Sequence, residues 1–187
     1  METQIDLKKL LKEGKISDEI GLERALLLDR KLRLLARKNP NLVNERKQLR
    51  DIIKAYENKN WDKDSLISEE KIKESDFAEV IVAQERKFLQ NRKKIIKNKL
   101  SEHGINQQDL GILLSHSKTY MSELMNGISP FNNRDLIIIH RLFHTKLEHL
   151  IPTIIPQKDR TKIKASLLKI NKPSLKIAKE DLEMGFV

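Results

Sequence analysis

The chain has 187 residues and no cysteine, and its 37 Lys and Arg against 27 Asp and Glu give a formal net charge of +10. The lack of cysteine excludes a disulfide framework, an iron–sulfur cluster, a thiolate zinc site and a cysteine nucleophile. No apolar run approaches the roughly 20 residues that cross a bilayer, so no membrane partner is expected.

The start, Met1-Glu2-Thr3-Gln4-Ile5-Asp6, has neither a basic stretch before an apolar core nor a small-residue cleavage site. No signal peptide is expected, and a cytoplasmic location follows. Only 6 Gly and 5 Pro, beside abundant Leu, Ile, Lys and Glu, predict an all-α protein. The length fits one domain, or a small domain with an accessory segment. The basic excess points to a polyanionic partner, most often nucleic acid, although a general preference for lysine gives the same count. The charge is unevenly spread: residues 1–60 carry +5, 61–90 carry −3, 91–150 carry +4 and 151–187 carry +4.

In chain order, Ile5, Leu7, Leu10 and Leu11 recur at helical spacing and predict a short first helix ending near Gly14. Ser17 opens a second helix from Asp18 to Lys38, whose apolar set, Ile20, Leu22, Ala25, Leu26, Leu28, Leu32 and Leu35, recurs mostly in steps of three and four and makes it amphipathic. Asn39-Pro40-Asn41 breaks it, because proline disfavours helix in the residue before it. Leu42 to Asn58 repeats the pattern and completes a helical hairpin, whose apolar face Trp61 is expected to close. Residues 58–68 lack a period and read as a loop. Ser75 reads as the cap of the next helix, with Asp76 and Glu79 in its first turn, running as one or two helices to Gly104. Its later half carries Arg92, Lys93, Lys94, Lys97 and Lys99, where solvation and phosphate contact are both open.

Residues Ile105 to Ile151 are the most informative. Asn106 can cap a helix through Leu114, Ser115-His116 makes a tight turn, and Ser117 can cap a second helix from Lys118 to Asn126. Gly127 ends it in the left-handed conformation, and Ser129 with Pro130 reads as the start of the next helix. Leu110, Leu114, Met121 and Leu124 would lock the pair, and Gly111 would let the helices approach. Two short helices joined this way are a helix-turn-helix, whose second helix can enter a major groove. Pro152 and Pro156 mark a boundary, followed by one more helix near Gln157 to Lys169 and an extended end. His140 and His144 stand four apart, a spacing that can bind zinc, with His149 near. No carboxylate or cysteine completes a ligand set, so no metal or other cofactor is expected. No catalytic motif appears, and Ser115-His116-Ser117 is better used by the turn and cap, so an enzyme is not expected.

Asn106-Gln107-Gln108-Asp109-Leu110-Gly111 and Met121-Ser122-Glu123-Leu124-Met125-Asn126-Gly127-Ile128-Ser129-Pro130 resemble the helix-turn-helix of Cro/repressor-type (Xre) proteins. The resemblance implies a lambda-repressor-like domain in the C-terminal part, preceded by a helical N-terminal segment. It implies phosphate contact by Gln107, and places Ser117, Lys118, Thr119 and Glu123 on the DNA face with Tyr120 and Ser122 flanking; Arg92 and Lys94 are second-rank backbone candidates. Ser115 departs from the pattern, since glycine is common at that turn position. With Glu23-Arg24-Ala25-Leu26, Asp29 to Leu35 and Leu49 to Glu57 upstream, roughly residues 20–155 resemble HigA-type antitoxins of type II toxin–antitoxin pairs. That implies a homodimeric transcriptional repressor on a palindromic double-stranded DNA operator, neutralising a RelE/HigB-like ribonuclease toxin and autoregulating its operon. The division expected is 1–62 (toxin binding or dimerisation), 63–90 (acidic connector and helix), 91–155 (DNA-binding domain) and 156–187 (basic tail). The alternatives are a stand-alone Xre-family regulator and a helical RNA-binding or scaffold protein.

Overall fold

A computed structural model describes residues 6–37, 39–62, 67–152, 155, 157–172 and 174–175. Eight α-helices follow one another among these: α1 Leu7–Glu13, α2 Glu19–Leu35, α3 Asn41–Asn60, α4 Glu69–Glu102, α5 Gln107–Leu114, α6 Lys118–Asn126, α7 Asn133–Phe143 and α8 Gln157–Ile170. A single 3₁₀ turn, Leu147–His149, follows α7. No strand occurs among the described residues, so the architecture is all-α. No helix among them is long and apolar enough to cross a membrane.

Local chemistry sets the helix ends. Asp6 caps α1 by accepting from Lys8 N at 2.9 Å, and Gly14 closes it with φ +65°. Asp18, rather than Ser17, caps α2, accepting from Gly21 N at 2.7 Å, and α2 stops at Leu35, three residues short of the reading. The α4 helix starts earlier than Ser75. Ser68 is its cap, accepting from Lys71 N at 3.2 Å, with Glu69 and Glu70 in the first turn against the helix dipole. Ser75 is interior to it. The first two turns escape a pattern search because Ile72 is the sole apolar residue from Glu69 to Asp76, and it is exposed. At 34 residues α4 is one continuous helix, about 50 Å long at 1.5 Å per residue. The loop expected at 58–68 is shorter than read, since α3 runs to Asn60; residues 63–66 of it, like Ile5 and Lys38, lie outside the described residues.

Two apolar clusters organise the chain. One joins Leu7 and Leu10 of α1, Leu22, Ala25, Leu28 and Leu32 of α2, and Leu42, Leu49 and Ile53 of α3, together with Ile128 just after α6. The other joins Ile96 and Leu100 at the end of α4 to α5, α6, α7 and Leu150. The α4 helix links them: its first half lies on α2, where Arg24 grips Glu85 bidentately (Nε to Oε2 2.9 Å), and its last turns enter the second cluster. Trp61 closes the far end of the hairpin partly by polar contact. Its indole N–H donates to Glu19 Oε1 at 3.2 Å, beside the Tyr56 hydroxyl at 3.0 Å, and the Lys71 ammonium lies 5.0 Å from its ring. The α7 helix is capped by Asn132, which accepts from Asp135 N at 2.8 Å, and not by Ser129. Ser129 is instead buried, with its hydroxyl toward Glu123.

Candidate nucleic-acid interface

The α5–α6 pair is built from interlocking local bonds. Asn106 Oδ1 accepts from Gln108 N (2.7 Å) and Asp109 N (3.3 Å), and Asp109 Oδ2 accepts from Asn106 N (2.7 Å), a reciprocal capping box. Ser115 ends α5 in the left-handed region at φ 63°, and His116 N donates to Gly111 O at 2.8 Å. A Cβ on Gly111 would lie 3.2 Å from the His116 carbonyl and 3.6 Å from Met121 Cβ, so glycine sets the spacing of turn and helices. Ser117 Oγ accepts from Tyr120 N at 3.2 Å and opens α6. Gly127, at φ 66°, closes α6, and Ile128 N donates to Glu123 O at 2.9 Å.

A polar pin that the sequence reading missed holds the turn to α7. His116 Nε2 lies 2.9 Å from Asp135 Oδ2, and that carboxylate is fully buried. Arg134 Nη1 donates to Leu114 O at 3.3 Å. His116 also meets the Tyr120 ring edge-on at 4.9 Å. Reading Ser115-His116-Ser117 as turn and cap left the imidazole without a task. Its partner lies 19 residues on, beyond any local pattern.

The expected contact residues divide. Ser117, Lys118 and Thr119 are exposed together at the head of α6. Gln107 is half-buried at the start of α5, and Lys94 is exposed on α4. Ser122 is half-buried, with its carbonyl and hydroxyl taken by Asn126 Nδ2 at 2.8 and 3.3 Å. Tyr120 and Glu123 are not open: α1 lies over them. Leu7 N donates to Ile128 O (3.3 Å), Lys8 Nζ lies 3.7 Å from Glu123 Oε2, and the same ammonium is 5.4 Å from the Tyr120 ring. Burial, then the Asp135 carboxylate, raises the Tyr120 pKa.

Arg92 needs correction as a phosphate candidate. It is 6% exposed, Nη1 donates to Leu150 O at 3.2 Å, and its guanidinium lies 5.6 and 5.2 Å from the Phe88 and Phe131 rings. Burial brings its pKa down to about 10. It holds α4 to the segments around α7. The zinc spacing also dissolves: α7 ends at Phe143, His144 is its left-handed cap, and His140 Nδ1 is 2.6 Å from Thr145 O. No group of three or more potential metal ligands gathers among the described residues.

No family model, no curated protein and no solved structure matches the chain.

Proposed function

We propose that this chain is a sequence-specific, double-stranded DNA-binding transcriptional repressor of the helix-turn-helix class, with α6 as its recognition helix. The observation that carries the reading is the joint exposure of Ser117, Lys118 and Thr119 at the start of a helix that Gly127 closes and whose Met121, Leu124 and Met125 are buried. Recognition helices of this class present their N-terminal residues to base edges. Lys118 supplies a donor for guanine O6 and N7, Thr119 pairs with either base type or the thymine methyl, and the first-turn N–H groups that Ser117 does not cap favour phosphate. Because α1 covers the next turn, reading is confined to this first turn and its α5 neighbour Gln107.

A C2 homodimer would set two such helices in successive major grooves about 34–36 Å apart. Exposed Ile137 and Leu142 on α7 and Leu147 in the 3₁₀ turn supply apolar surface for self-association. The stand-alone regulator gains support over a detached toxin-binding arm from one contact: Ile128, at the exit of α6, belongs to the apolar cluster of α1–α3. The antitoxin extension rests on the sequence resemblance and is tested by co-purification with the neighbouring gene product; a neighbour without effect on growth argues against it. Duplex recognition is tested by selecting from a randomised pool and titrating the enriched duplex against wild type and Lys118→Ala. Enrichment of RNA over every duplex would move the assignment to the RNA-binding alternative.

A further inference from the structure

Between α2, α4 and the exit of α6 lies a cavity of about 310 Å³, at the small end of the roughly 300–1,000 Å³ usual for small-molecule clefts. Leu27 and Leu34 of α2, Leu89 of α4, and Leu124, Met125 and Phe131 give it apolar walls. Five cations, Arg30, Lys31, Arg86, Arg92 and Lys93, also line it, and no Asp or Glu is among the described residues that do. Of the nearby carboxylates, Glu85 is engaged with Arg24 and Asp29 with Arg46 at 2.8 Å, while Glu23 interacts with Arg30 at the rim, outside the lining. Lys31 and Lys93 reach neutral acceptors, the Gly127 carbonyl at 3.4 Å and Asn126 Oδ1 at 2.6 Å.

Arg30 and Arg86 are exposed at the rim, whereas Lys31, Lys93 and Arg92 are drawn in among the apolar walls; like charges held this way are unfavourable unless an anion joins them. The strain registers on Lys31, whose pKa is brought down to about 8 by burial first and then by Arg86, Arg92 and Lys93. Lys93 is shifted down as well, by burial and then Lys97. A nucleic-acid backbone is a poor match for this space. It carries repeated charges along a polar track, whereas the walls here are leucine, methionine and phenylalanine.

We propose that this cavity binds an amphipathic organic anion, with a carboxylate or phosphate head on Lys31 and Lys93 and an apolar body against the leucines of α2 and α4. The site is independent of α6 as a reader of DNA, so failure of either idea leaves the other standing.

The test is isothermal titration calorimetry of the full chain with decanoate and decyl phosphate, using decanol and inorganic phosphate as matched halves. Saturable one-to-one binding of either amphiphile, at least tenfold tighter than decanol or phosphate, is expected, and the tighter head names the source. Lys31→Met and Lys93→Met should each weaken it at least tenfold, and Lys118→Ala should leave it unchanged. If a buried substitution unfolds the chain, Arg30→Glu, on the exposed rim, should weaken binding in a folded protein. Equal affinity for decanol, unchanged affinity in Lys31→Met and Arg30→Glu, or displacement of decanoate by a short oligonucleotide would overturn the proposal.

Discussion

Lys118 and Arg92 show how two side chains of the same charge can do opposite work. Lys118 is exposed at the head of α6, whereas Arg92 is buried between two phenylalanine rings with a carbonyl to satisfy. Lys118→Ala is expected to leave the unfolding free energy, read from urea titration, within about 0.5 kcal/mol of wild type. It should cost about 1–3 kcal/mol of duplex affinity and relax preference at the base it reads. Arg92→Met should do the reverse. It strands the Leu150 carbonyl and removes a cation from both rings, a loss of about 2–3 kcal/mol in urea unfolding, and a duplex-specific defect without that loss would contradict its placement. Lys31 adds a pH signature. Its folded pKa, about 8, lies below that of an unfolded lysine, so between about pH 8 and 10 the unfolded chain binds more protons. Stability contributed by this group therefore rises as pH climbs through that window and is least below it. Urea titrations at pH 7 and pH 10 should show a smaller rise for Lys31→Met than for wild type; equal rises would contradict the assignment.

At the level of elements, capping chemistry was legible in α5 and α6, whereas at α2, α4 and α7 the caps are Asp18, Ser68 and Asn132 in place of Ser17, Ser75 and Ser129. Asn106, Ser117 and Gly127 each form the end that their residue type favours, because a cap is a bond between near neighbours and needs no tertiary information. Asn106→Ala should destabilise the fold by about 1 kcal/mol in thermal or urea unfolding. Ser115→Gly should stabilise it, by up to about 1 kcal/mol, by relieving a non-glycine residue at φ 63°; a lower midpoint would mean that the serine side chain contributes more than the strain. What failed to show was long-range. Ser75 resembles a cap as well as Ser68 does, and the turns between them hold one apolar residue, Ile72, too few to set a period. The His116–Asp135 pin, the burial of Arg92 and the placement of α1 over Glu123 all join residues far apart in sequence, and periodicity carries no record of them.

For the whole molecule, net charge reads differently once folded. Counted by blocks, the acidic stretch at 61–90 separates two basic regions. In space α4 carries both characters, and its Arg86, Arg92 and Lys93 meet Arg30 and Lys31 of α2 around one cavity. Part of the +10 is thus turned inward, and the share left facing solvent includes exposed Lys118, Arg134 and Lys94, which the proposed function would set against phosphate. Self-association is a property of the same scale: sedimentation should give a dimer, and Ile137→Asp, at an exposed apolar position on α7, should shift it toward monomer. The most direct test of the account is selection from a randomised duplex pool by wild type and Lys118→Ala in parallel. A palindromic motif with half-sites about one helical turn apart is expected for wild type, lost or relaxed in the variant. Enrichment of no duplex motif, or of the same motif with equal affinity by both proteins, would contradict it.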